Sequence, residues 1–109
     1  MGVGMQIAYF GFAGSSELEG EAGAQLVRLE RYGNLLTGCH LMIEALPARN
    51  GHRLYDVRLD LRLRDQDSHG LLPLPHCSGV DAHAAIRQVF DCADETLCRL
   101  QTDSMQRSR

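Results

Sequence analysis

YDVRLDLRLR, residues 55–64, alternates without a break: Tyr55, Val57, Leu59, Leu61 and Leu63 are apolar, and Asp56, Arg58, Asp60, Arg62 and Arg64 are charged. Successive side chains of a strand point to opposite faces, so this period of two predicts a strand with one face buried and one wet. Just upstream, Asn50-Gly51 supplies a short hairpin turn, because both residues tolerate positive φ. The segment before it, CHLMIEAL at 39–46, alternates again, with Cys39, Leu41, Ile43 and Ala45 set against His40, Met42 and Glu44; Pro47 ends it. Downstream, residues 65–70 predict a second turn. LLPLPHC at 71–77 predicts a short fourth strand, confined to a sheet edge because Pro73 and Pro75 cannot donate ladder hydrogen bonds.

Helical spacing flanks this core. Residues 5–12 read as a first strand, loosened at its end by Gly11 and Gly14. Ser16 and Glu19 have the spacing of a capping box. Leu18, Ala22, Leu26, Leu29 and Tyr32 then recur on one face, predicting a helix over 17–32 that Gly33-Asn34 stops. Gly20 and Gly23 each weaken it by about 1 kcal/mol relative to alanine, which packing on a sheet has to offset. Asp81 is a good N-cap for a second helix over 82–102, whose stripe is Ala85, Ile86, Val89, Phe90, Ala93, Leu97 and Leu100. The polar tail 103–109 reads as frayed, and 1–4 as an N-terminal extension of a single domain at 5–102.

The order is therefore β-α-β-β-β-α. A helix joins the first two strands, which favours parallel pairing with a right-handed crossover. The last three strands form an antiparallel meander. The predicted fold class is α+β: a two-layer sandwich, with a four-stranded mixed sheet and both helices on one face.

With 109 residues, 44% hydrophobic and 23% charged, the composition is that of one globular domain. No apolar run approaches the ~18 residues of a membrane span. The first residues lack a positively charged leader segment, and Gln6 occupies the position where N-myristoylation favours Ser or Thr. These features read as a cytoplasmic protein. Fourteen acids against eleven bases, all of them arginine, give a net charge of −3. The basic excess of a dedicated nucleic-acid binder is absent, which leaves a local stripe of arginine and histidine as the alternative.

Catalytic signatures are missing: there is no G-x-S-x-G, P-loop, H-E-x-x-H or dinucleotide fingerprint. Asp56 and Asp60 flank Arg58, the pattern of a compensated wet face rather than a carboxylate pair. The five histidines are scattered over strands, turns and a helix start. Cys39, Cys77, Cys92 and Cys98 include no Cys-x-x-Cys, and Cys39-His40 and His76-Cys77 are strand neighbours that point apart. They read as reduced, small apolar residues, and neither a metal nor a cofactor is expected. The bases do show grouping. Arg49, His52 and Arg53 crowd the hairpin, and Arg58, Arg62 and Arg64 share the wet face of its return strand. Arg28 and Arg31 end the first helix, where they also complement its dipole, and Arg87 and Arg99 lie on the second. Arg-Asn-Gly-His-Arg at the hairpin reads equally as a phosphate-contacting loop or as a soluble tip.

Taken together, MQI at Met5, SSELEGEAGAQLVRLERY from Ser15, CHLMIEA from Cys39, LYDVRLDL from Leu54 and VDAHAAIRQVFDCADETLCRL from Val80 resemble the short ribosome hibernation promoting factors. These are also called ribosome-associated translation inhibitors or sigma-54 modulation proteins. The resemblance runs from Met5 to about Leu100 and implies the same β-α-β-β-β-α fold. It implies a non-enzymatic factor that binds small-subunit rRNA, blocks the decoding channel and silences translation in stationary phase or stress. The C-terminal dimerisation domain of longer relatives has no counterpart here. By position, Arg58 in VRLDL and Arg87 in AAIRQ match recurrent family arginines. Arg49, His52 and Arg53 fall in a loop rich in basic residues in relatives, and Arg28 and Arg31 fall near the basic residues around LERY. With Arg62 of the wet face, these are the expected rRNA contacts. The partner implied is the small ribosomal subunit, with no membrane and no small-molecule substrate. The alternative reading is a divergent member serving as a protein-interaction or homodimerisation module.

Overall fold

The computed structural model describes residues 2–64 and 71–107, without the side chains of 48–49 and 104–107. The turn expected at 65–70 lies outside the described residues. Strand β1 (Gly4–Phe10) leads into helix α1 (Ser16–Leu29), a 3-10 turn (Glu30–Tyr32), and the long strands β2 (Leu36–Arg49) and β3 (His52–Leu63). Two short strands, β4 (Leu72–Pro73) and β5 (Cys77–Gly79), precede helix α2 (Ala82–Arg107).

The alternation of 55–64 governs the sheet. β2 and β3 pair antiparallel in the register Cys39↔Leu61, Leu41↔Leu59 and Ile43↔Val57, so these six side chains form one layer. Each is at most 2% exposed. Asn50 and Gly51 make the turn with φ of 53° and 77°, the left-handed conformation their sequence predicts. β1 joins β2 in parallel, as the helical crossover requires, with Ile7 beside Leu41. Both helices cover the same face. Leu18, Ala22 and Leu29 of α1, and Ile86, Val89, Phe90, Ala93 and Leu97 of α2, complete a single core with the sheet. The fold is the α+β two-layer sandwich expected.

Several local expectations shift. The α1 cap is Ser15, not Ser16: Ser15 is extended and its Oγ accepts from the Leu18 N–H at 3.1 Å, so Glu19 closes no capping box. β2 runs through Pro47 to Arg49, because the missing N–H falls inside a register shift between Leu46 and Arg49. The prolines of 71–77 break the expected fourth strand in two. β4 and β5 each pair with β3 on either side of the break. Gly4 belongs to β1 and Val3 is only 6% exposed, so part of the expected extension is inside the domain. α2 continues to Arg107 where fraying was expected after 102; no Gly or Pro interrupts it, and Glu95 and Arg99 pair at 2.9 Å across one turn. Asp81 caps α2 as expected, its Oδ1 accepting from the His83 N–H at 3.0 Å. Asp60 points to the face opposite the helices, as alternation demands, yet it is only 8% exposed, flanked in the sheet by His40 on β2 and Pro73 on β4 and approached by Arg58.

Two alanine substitutions should act in opposite directions in urea unfolding. Gly51→Ala forces a side chain into the left-handed region and should cost about 1 kcal/mol. Gly20→Ala, on an exposed helical position with no atom within 4 Å of the new Cβ, should add about 1 kcal/mol.

Candidate nucleic-acid interface

Three separate places in the fold hold the basic residues singled out above. The first is the β2–β3 hairpin tip. Arg49 and His52 face each other across the turn, and Arg53 follows. His52 and Arg53 are exposed, and neither makes an ion pair among the described residues. The Arg49 side chain lies outside the described residues.

The second is the open face of the sheet, away from the helices. Register places Arg62 beside Gly38, His40 beside Asp60, Met42 beside Arg58, and Glu44 beside Asp56. Arg62 is exposed with no carboxylate partner among the described residues. Arg58 lies along the surface, its Nη2 2.8 Å from Met42 Sδ and its Nε 3.6 Å from Asp60 Oδ1. Farther along, Asp56 accepts from Ser78 Oγ at 2.9 Å and meets His76 Nδ1 at 2.9 Å, which ties the β5 segment to β3. Phe10 is 51% exposed on this face. A shallow depression of about 300 Å³ runs past it between Met42, Arg58 and His76. A base at the β3 end has a structural use instead: Arg64 donates twice to the Gly33 carbonyl, at 3.2 and 2.8 Å.

The third place is the helix layer, on the other side of the sheet. Here the arginines are neutralised. Arg28 pairs with Asp91 at 2.7 Å and Asp94 at 3.1 Å, and Arg31 also reaches Asp94. Tyr32 Oη donates to the same carboxylate at 2.6 Å. These donors, the Tyr32 hydroxyl foremost and then Arg31 and Arg28, hold the Asp94 carboxyl below its ordinary value against the opposing effect of burial. Glu21 likewise sits low, through the Gln25 amide first and then His83, and it pairs with Arg87 at 3.1 Å. Helix α1 is thus tied to α2 by buried apolar contacts below and by these ion pairs at the rim.

The expected contacts therefore do not converge on one surface. Arg49, His52 and Arg53 share the tip. Arg58 and Arg62 share the open face, with Arg62 ten residues of strand, roughly 30 Å, from the tip. Arg28, Arg31 and Arg87 lie behind the sheet. Sequence reasoning missed the Asp94–Tyr32 contact, because partners 62 residues apart leave no local signal. It also missed the exposure of Phe10, although its even-numbered place in β1 beside Gln6 and Ala8 put it on the open face.

No metal-holding group of three or more His, Cys, Asp or Glu side chains occurs among the described residues. Burial pushes the Cys39 thiol up to about 12, which leaves it inert in the core. Among the described residues no helix is long and apolar enough to cross a membrane.

Comparison with known proteins finds the fold but not a close relative. The sequence matches no family model and no curated protein. Among solved structures, a ribosomal subunit interface protein from Coxiella burnetii is similar over 92% of this chain and 99% of its own, with a TM-score of 0.70 and 12% identity. The N-terminal domain of Protein Y from Thermus thermophilus is similar over the same shares, with a TM-score of 0.63 and 16% identity. The resemblance read from the sequence is thereby borne out in the fold, over nearly the whole chain.

Removing the Asp94 carboxylate should loosen the helix layer. Asp94→Ala should cost about 2–3 kcal/mol in urea unfolding at pH 7, because charge-assisted hydrogen bonds from Tyr32 and two arginines are lost. The depressed carboxyl also sets a sign. Its contribution is fully present above the ordinary value of 3.8 and is lost as the pH falls through the lower value in the fold. Asp94→Asn should therefore flatten the loss of stability of the native chain between about pH 5 and pH 2.

Proposed function

We propose that this chain is a ribosome-associated, non-enzymatic factor that binds small-subunit rRNA and occludes the decoding channel, silencing translation under stress. The observation that carries the reading is the fold, shared over 92% of the chain with a protein whose name places it at the ribosomal subunit interface. The cationic hairpin tip supports it. A loop at the end of two long strands that exposes His52 and Arg53, with Arg49 opposite His52 in the register, is a stiff probe, suited to reach into a groove of folded RNA. The Arg53 guanidinium, which has no carboxylate partner among the described residues, can bind phosphate oxygens bidentately. Arg62 and Arg58 extend the contact along the open face. Arg28, Arg31 and Arg87 would each exchange a carboxylate for a phosphate, so their contribution to affinity is the smaller one. Occlusion needs no chemistry: a rigid sandwich in the path of mRNA and tRNA excludes them sterically. Such a factor works in the cytoplasm, without cofactor or small-molecule substrate.

Electrostatics bounds the strength of the complex. With a net charge of −3 the whole molecule is repelled by RNA, and the tip and open face have to overcome this locally. Three or four phosphate contacts give a slope of log affinity against log salt of about −2 to −3.

Co-sedimentation with purified small subunits tests the proposal. The chain should pellet at low salt and weaken as salt rises to physiological strength. Arg49→Glu with Arg53→Glu should abolish pelleting at physiological salt, while Arg99→Glu, on the solvent side of α2, should change it little. A chain that stays in the supernatant at both salt strengths would rule out ribosome binding and favour the protein-interaction reading.

A further inference from the structure

The two edges of the sheet are built differently. The β3 side ends in strands of two and three residues, with Pro73 inside the first and Pro75 between them, an edge that resists further pairing. The β1 side has no such device. All seven residues of Gly4–Phe10 pair with β2 on one side, and no other strand among the described residues pairs with their outward backbone groups. Gly4–Phe10 itself carries no charged side chain. The core-facing row is also incomplete here. Met5, Ile7 and Tyr9 are only partly buried, whereas their β2 neighbours Cys39, Leu41 and Ile43 are at most 2% exposed.

We propose that β1 pairs antiparallel with β1 of a second copy of this chain, forming a two-fold dimer with one continuous sheet. What singles out a second copy is a knob and a hole on the same strand. Phe10 is the knob, 51% exposed on the open face. The hole lies at the other end of β1 on that face. Gly4 and Gly38 are neighbours in the β1–β2 register, and a depression of about 390 Å³ lies over them, bordered by Gln6, His40 and Arg62. No atom lies within 4 Å of where a Gly4 Cβ would stand. Antiparallel pairing centred on Ile7 sets Gly4 against the partner's Phe10, Met5 against the partner's Tyr9, and Gln6 against the partner's Ala8.

This register pairs all seven residues and delivers each knob to the opposite hole. An aromatic ring over a cross-strand glycine is a favourable sheet pairing. Arg62 borders the hole and can stack its guanidinium on the ring that fills it. The two-fold axis is perpendicular to the sheet, so both helix layers stay on one side. The half-covered rows Met5, Ile7 and Tyr9 then meet their own copies across the seam, completing the apolar layer that β2 already buries. With no charge on either strand, the net charge of −3 sets no like charges face to face at the seam.

Sedimentation of the isolated chain, with no ribosome present, tests this independently of the proposed function. A monomer–dimer equilibrium should appear as concentration rises. Phe10→Ala removes the knob and Gly4→Val fills the hole with a side chain the monomer has room for. Each should weaken dimerisation at least about tenfold while leaving the thermal unfolding of the dilute protein close to wild type. In the wild-type chain, hydrogen exchange of the outward-facing β1 amides should slow as the dimer forms. A chain that remains monomeric at about 1 mM, a dimer that survives both substitutions, or β1 amides that gain no protection in the dimer would overturn the proposal.

Discussion

The register between β2 and β3 is the constraint on which the rest of the molecule depends. A two-residue turn with both φ values positive admits Asn50 and Gly51 and sets the pairing of the strands that leave it. With a side-chain period of two, a slip of one residue would carry Val57, Leu59 and Leu61 into water and the charged row into the core. Because the slip is forbidden, one face is a continuous apolar floor for both helices and the other is a grid of polar and charged rows. β1 inherits its own facing from β2, and Phe10 emerges on the open side for the same reason that Ile7 does not.

The same division sorts the charges. Arginines behind the sheet stand between two helices that also carry Glu21, Asp91 and Asp94, and they serve packing: the ion pairs close the rim of the α1–α2 contact over a buried Tyr32. Arg53 at the hairpin tip and Arg62 on the β3 face have no carboxylate partner among the described residues. An acidic chain thus keeps cationic surface where two strands project, while spending its other arginines on its own acids. Affinity for a polyanion then depends on a few positions rather than on overall charge.

Legibility in the sequence followed the range of the interactions. Strict alternation at 55–64, the Asn50-Gly51 turn, the parallel crossover and the apolar stripes of both helices were all readable, because each is written in residues within one or two turns of one another. The misplacements were of two kinds. Ser15 rather than Ser16 caps α1, a one-residue ambiguity between adjacent serines that the left-handed φ of Gly14, 84°, resolves by setting the chain's entry. Asp60 is buried rather than wet, because the neighbours that flank it in the sheet, His40 and Pro73, are 20 and 13 residues away in the chain. The grouping of arginines was readable along the chain, but their neutralisation was not. Arg28 and Arg31 read from the sequence as complements to the dipole of their own helix and as rRNA contacts, whereas their partners in the fold are Asp91 and Asp94 on α2.

By itself the sequence determined the order and type of the elements, the face each strand and helix would bury, and the family whose fold it shares, because period, turn chemistry and capping are local and repeat in a recognisable order. Tertiary structure alone decided which guanidinium groups remain free, which edge of the sheet stays unpaired, and that an exposed phenylalanine and a bare pair of glycines sit on one face of one edge. Those outcomes depend on distances between residues far apart in the chain, and such distances exist only after the strands have taken their register and the helices have closed over them.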